Sequence, residues 1–334
     1  MPAGAESSFD EGYQAGFARR WGHLTRPAVR ALAWLLESPD LLDPAGHEWQ
    51  GSIATLGTVD DATAAWLASL EVDPAPLDAA LGERPYSRLG LYAEKLMAFY
   101  FAQRGDLVAH GLQVRAARND TVGEFDFLLA DGEGLRHIEF ATKFYLLDSV
   151  DDNDPVDFDL LVGPNLADTL GRKMRKIFSQ QLALSRHPAA QALLDRPVLA
   201  AQALVKGWLF YPPGPAPRLP GIGPRHCRGH WHAVSSLAAA GGEQFVVMPR
   251  LQWLAPLQVP AQPGADGAMA PTPPPLTRDA LAALLRHKFE TDRAPVMVAA
   301  VRREGDWLVE QSRAFVVPDE WPALAAQRRL EKRL

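Results

Sequence analysis

Apolar residues recur at helical spacing in the first quarter of the chain. In TRPAVRALAWLLE (25–37) they fall at Val29, Leu32, Ala33 and Leu36, after Thr25 as a candidate cap. Residues 60–82 continue this alanine- and leucine-rich pattern, so 16–82 reads as a helical N-terminal region behind a disordered lead over 1–15. YSRLGLYAEKLMAFYFAQ (86–103) predicts a further helix, capped by Ser87. The period then changes to two. LVAHGLQVRA (107–116), GEFDFLLA (123–130), LRHIEFATKFYLL (135–147) and RPVLAAQALVKGWLFYP (196–212) read as strands, with a long helix from near Asn165 before the last.

Beyond residue 212 the pattern is broken by proline. PPGPAPRLPGIGP (212–224) reads as a connection, and the stretch 255–277 as a mobile proline-rich loop. Between and after them lie a strand at 244–254, a helix at 278–290, a hairpin at 295–317 turning near Gly305, and a basic helical end, QRRLEKRL. The fold class is therefore mixed α/β. Helical N-terminal region (16–82), α-β-β-β-α-β core (83–212) and C-terminal α+β unit (225–334) succeed one another, the last able to extend the central sheet.

Three ionisable side chains interrupt the apolar strands. Alternation puts Glu124, Asp126 and Leu128 on one face, with Phe125, Phe127 and Leu129 on the other. In the next strand His137, Glu139, Ala141, Lys143 and Tyr145 share a face. A four-residue turn, Asp131 to Gly134, would pair Ala130 with Leu135 and set Asp126 opposite Glu139. Facing buried carboxylates repel, so one must hold a proton or a cation must join them. An all-oxygen pair suits Mg²⁺ or Mn²⁺. Glu94 adds a third acid, interrupting the apolar stripe of Leu91, Met97 and Ala98 on its helix.

This element order, with Glu94, Asp126, Glu139 and Lys143, resembles the PD-(D/E)XK nuclease superfamily over residues 86–212. The runs LGLYAEKLMAFYF, GEFDFLL, HIEFATKFYLL, GPNLADTLGRKM and KGWLFYP are similar to one uncharacterised bacterial family assigned to that superfamily. The resemblance implies a restriction-endonuclease-like core. It also implies metal ligation by Asp126, Glu139 and Glu94, catalytic support from Lys143, and a DNA or RNA substrate. The usual lysine position, two residues after the second acid, holds Ala141 here. Lys143 keeps the face but starts roughly 6.6 Å further along the strand. Lys173, Lys176 and Gln180, at i, i+3 and i+7, form a strip able to touch a nucleic-acid backbone.

Plainer readings stay open. Asp126, Glu139 and Lys143 also read as a Glu–Lys pair with an Asp at a strand end, Glu94 as a partner of Arg88, and the Lys173 strip as a solvated face. The same scaffold also suits a non-catalytic module binding nucleic acid or protein. HCRGHWH (226–232) invites a zinc site, although the spacing fits no recognised finger.

Bulk properties narrow the field. The chain has 334 residues and a formal net charge of -6, so a polyanion must be held by a local patch such as GRKMRK (171–176). A single cysteine fits a reducing compartment, and no signal-peptide pattern or membrane span is read, so a cytoplasmic protein is expected. Phosphate-loop, dinucleotide and nucleophile-elbow motifs are missing.

Overall fold

The computed structural model describes residues 12–117, 120–148, 157–214, 217–239, 241–262 and 274–331. Residues 1–11 of the supposed lead, 149–156, 263–273 of the proline-rich loop and 332–334 at the end of the basic tail lie outside the described residues.

The N-terminal region is helical: α1 (Tyr13–Trp21), α2 (Pro27–Glu37), α3 (Asp61–Val72) and α4 (Ala75–Leu81). Helix α1 starts inside the stretch read as a lead. In α2 the N-cap is Arg26, because Thr25 is drawn off to donate its hydroxyl to Glu71 at 2.6 Å. Helix α5 (Leu89–Arg104) starts after Arg88 without the Ser87 cap. It stops at Gly105, whose φ of 77° lets it and Asp106 donate back to the last turn.

Strands β1 (Leu107–Ala117), β2 (Asp120–Asp131) and β3 (Gly134–Leu147) come next, then the short β4 (Leu161–Val162) against the end of β3. The predicted long helix begins five residues late. Thr169 bridges to Val162, and its hydroxyl caps α6 (Leu170–Lys176) by accepting from the Arg172 amide. The helix then widens into a π-turn (Ile177–Gln181) and tightens into a 3₁₀ turn (Leu182–Arg186) before α7 (Pro188–Leu193).

Strand β5 (Val198–Tyr211) runs parallel to β3 over its length, from Leu135↔Val198 to Leu146↔Phe210. Beyond it come β6 (Cys227–Ala233), β7 (Gln244–Val247), β8 (Gln258–Pro260), β9 (Leu276–Thr277), α8 (Arg278–Phe289), β10 (Val296–Glu304), β11 (Trp307–Val317) and α9 (Trp321–Glu331). The C-terminal strands extend the central sheet. One sheet runs β1-β2-β3-β5-β6-β11-β10-β7-β9, with β4 on β3 and β8 on β11.

Two cores sandwich its middle. Ile138 and Leu146 of β3, with Leu204 and Trp208 of β5, pack under α5 and the N-terminal helices. Ala141 and Tyr145, with Val205 and Leu209, pack under α6 and the segment around Leu41 and Ile53. The first half of the expected mobile loop is instead buried: Leu254, Ala255, Leu257 and Val259 are core residues. Among the described residues no helix is long and apolar enough to cross a membrane.

Candidate functional site

The hairpin register is the one the turn length predicts: Ala130↔Leu135, Leu128↔His137 and Phe127↔Ile138. Pairing ends there, just short of Asp126 and Glu139. On the other side of β2, the ladder with β1 continues through a left-handed residue. Gly111, at φ 64°, falls between the pairs His110↔Phe127 and Leu112↔Phe125, opposite Asp126. A residue with a Cβ resists that conformation.

Alternation fails across this point. Phe127 packs edge-on against Phe101 of α5, whereas Phe125 joins the separate core of Leu128 and Leu135 and meets His137 edge-on. Phe125 and Phe127, expected on one face, therefore lie in different cores. Asp126 does not simply face Glu139 across a ladder. Its Oδ2 accepts the Phe140 amide of β3 at 2.9 Å, occupying the place of a ladder carbonyl where the strands part.

This leaves the Asp126 and Glu139 carboxyls close enough to act on each other's ionisation. Glu139 is 1 % exposed. His137, wholly buried, approaches Glu139 Oε1 with Nε2 at 2.8 Å, and Gln181 Nε2 donates to Oε2. Burial pushes the His137 imidazole down to about 4, so it is neutral at pH 7 and shares one hydrogen bond with Glu139. Its Nδ1 is buried with no hydrogen-bond partner.

Burial first, and then the neighbouring Glu139 charge, raise Asp126 to about 7. Burial likewise raises Glu139 to about 7, with Glu94 adding to the rise and the hydrogen bond with Asp126 opposing it. The pair meets the condition set by its sequence: two carboxyls that cannot both ionise cheaply without a proton or a cation.

Glu94 is near enough for its charge to act on both acids. Its partner is His110 of β1, at 2.8 Å, rather than Arg88, and His110 stacks on Phe127. Lys143, half-buried, has no hydrogen bond or ion pair among the described residues. Burial, together with the nearby Lys173 charge, lowers it to about 8, which leaves it mostly protonated at neutral pH.

The Lys173, Lys176 and Gln180 strip is altered by the π-turn, which inserts extra backbone and rotates the next residues about the helix axis. Lys173 pairs with Asp168 at 3.7 Å, and the Lys176 charge acts on Glu139. Gln180 is exposed, and Gln181 is the residue that reaches the acid pair. A purely α-helical projection selects the wrong glutamine. His137 was already on the right strand face; Gln181 had no signal in the one-dimensional pattern.

Beside the acids, β3 has no β2 partner beyond Ile138. A cleft of about 850 Å³ opens along this free edge. Phe140, Lys143, Glu94, Lys173 and Trp253 are among its lining residues. Asp126 and Glu139 are not, although their neighbours Phe140 and Glu94 are.

Among the described residues no three His, Cys, Asp or Glu side chains form a group arranged to hold a metal ion. This includes the HCRGHWH segment. There His226 bonds to Tyr211 and the Gly223 carbonyl, and burial pushes the Cys227 thiol up to about 12.

Fold and site together define a mixed α/β protein with a buried acidic pair at the edge of a basic-lined cleft. The chain belongs to the family described as Domain of unknown function (DUF1853), which matches residues 30–317. No curated protein and no solved structure matches it.

Proposed function

We propose that this protein is a metal-dependent phosphodiester hydrolase of PD-(D/E)XK type acting on DNA or RNA. The observation that carries the reading is the Asp126–Glu139 pair, two carboxyls from adjacent strands held close although burial raises both and the Glu139 charge raises Asp126 further. Mg²⁺ or Mn²⁺ fits the donor set, because such ions commonly take one or two carboxylates and fill their remaining positions with water and phosphate oxygens. A bound ion would supply a more acidic water and neutralise charge on the scissile phosphate.

The chain's own residues then have distinct tasks. Asp126, anchored on the Phe140 amide, and Glu139 would hold the ion, with Glu94 as an outer carboxylate steadied by His110. His137 and Gln181 fix the Glu139 rotamer while leaving each oxygen a second lone pair. Lys143, charged and without a partner among the described residues, would stabilise negative charge gathering on the phosphate oxygens. Lys173, in the cleft, and Lys176, one turn on along α6, would meet backbone phosphates.

A binding module that does not cleave is the second reading. It is favoured by the engagement of both Glu139 oxygens and by Ala141 at the usual lysine position. Thermal unfolding in Mg²⁺ and Mn²⁺, for the natural protein and for Asp126→Ala, tests the site. A ligand bound only by the folded state at about 100 times its Kd adds about 2.7 kcal/mol. A rise in Tm in the natural protein alone is expected, together with metal-dependent loss of plasmid, linear or single-stranded substrate that disappears in Glu139→Ala. Retained nucleic-acid binding without cleavage would select the binding module, and indifference to both metals would remove the metal centre.

A further inference from the structure

Resting on that reading, the geometry points to an unpaired nucleic-acid strand as the occupant of the cleft, with its bases against the Trp253 platform and its phosphates on Arg88, Lys143 and Arg250. Five basic and three acidic side chains line the cleft, against the negative charge of the whole chain. Lys173 and Lys288 are paired with Asp168 and Asp292, at 3.7 and 2.8 Å. The other three, Arg88, Lys143 and Arg250, have no ion-pair or hydrogen-bond partner among the described residues. They come from the start of α5, the middle of β3 and the turn after β7, and a polyanion along the cleft can meet all three.

The aromatic content decides the kind of polyanion. Trp253 lies with its centroid 5.8 Å from that of Phe144, and Arg250 sits over its ring at 5.6 Å. An indole with a cation beside it is a surface on which bases stack without sequence preference. Trp253 is also held rigidly. Its Nε1 donates to the Met248 carbonyl at 3.1 Å, its ring meets Phe315 edge-on, and its carbonyl accepts from the buried Arg313.

A paired duplex hides its base faces and could use only the cations. A single strand exposes both phosphates and π-faces. A volume of about 850 Å³ also matches a site that encloses a ligand of small-molecule size, which suits a short run of nucleotides better than two paired strands.

Fluorescence anisotropy in EDTA, where cleavage cannot intervene, tests this with labelled single-stranded DNA, single-stranded RNA and the duplex of the same sequence. The single strands are expected to bind at least tenfold more tightly than duplex, and Trp253→Ala to weaken them about tenfold. Trp253→Phe should recover most of that loss. If Trp253→Ala does not fold, Arg250→Gln reads the same surface: the salt slope for a single strand should fall by about 0.7. The DNA and RNA arms identify the sugar. Equal affinity for duplex, or single-strand binding indifferent to Trp253 and Arg250, overturns this inference while leaving the hydrolase reading in place. No binding to any of the three removes both.

Discussion

At the residue scale, Asp126 holds the tension in the site. Its carboxyl meets two incompatible demands, an amide that wants an anion and a neighbouring carboxyl that repels one. Asp126→Asn relieves this, because the amide oxygen still accepts from Phe140 while the NH₂ donates to Glu139. The metal-free variant should be more stable than the natural protein at pH 8, by on the order of 2 kcal/mol, and lose its response to Mg²⁺. The raised pKa gives the sign. Folded Asp126 keeps a proton that the unfolded chain releases, so its contribution to stability declines as pH climbs from about 4 to about 7. Denaturant melts of both proteins across this range should show a gap that widens with pH and levels off above 7. Since an ion must displace the retained proton, the Mg²⁺-induced rise in Tm of the natural protein should be larger at pH 8 than at pH 6.

At the element scale, β3 and β5 together set where Lys143 stands. Gly207 lies opposite Lys143 in their parallel pairing, and a Cβ there would come within 2.1 Å of the Lys143 carbonyl oxygen. Gly207→Ala must push the strands apart at the cleft edge, and should cost at least the 1–3 kcal/mol typical of overpacking, read as a lower denaturation midpoint. One residue before it, buried Lys206 pairs with Asp40 at 2.8 Å and donates to the Ser38 carbonyl at 2.6 Å. Lys206→Ala leaves a largely buried carboxylate uncompensated. A loss of about 3–5 kcal/mol is expected in chemical denaturation. The same scale explains the glutamine that sequence periodicity misplaces. An α-helical phase from Lys173 reaches Gln180, but the π-turn over Ile177–Gln181 carries the donor on to Gln181.

At the scale of the whole molecule, the expected divisions at 82 and 212 are crossed by a continuous sheet and a shared core. Strand β5 pairs with β3 on one side and β6 on the other, and one apolar cluster runs from Phe17 in α1 to Ala325 in α9. The segment 253–258 is fastened from both ends of the chain. Arg313 of β11, 1 % exposed, donates to the Trp253 and Ala255 carbonyls and to Glu310; Arg30 of α2 donates to the Pro256 carbonyl at 2.8 Å and to Gln258 at 3.0 Å. A fragment of residues 83–212 should therefore show no cooperative thermal transition, whereas the full chain should show one. Arg313→Ala, which strands the buried Glu310, should destabilise the full chain by about 3–5 kcal/mol.

Local physics alone determined a good deal of this protein. The succession of strands, the four-residue turn and hence the hairpin register, and the placing of Lys143 on the face of Glu139 all come from period-two alternation, which depends only on backbone geometry. The interruption of an apolar helical stripe by Glu94 is equally local. Tertiary structure decided what periodicity cannot carry. Asp126, opposite the left-handed Gly111, turned to the Phe140 amide, and the π-turn chose Gln181 over Gln180. Proline-rich composition around 255–260 suggested loose chain, because proline withholds its own N–H from any ladder. Buried Arg30 and Arg313 supply those donors from positions more than fifty residues away, and only the folded chain brings such distant charges to a carbonyl that needs them.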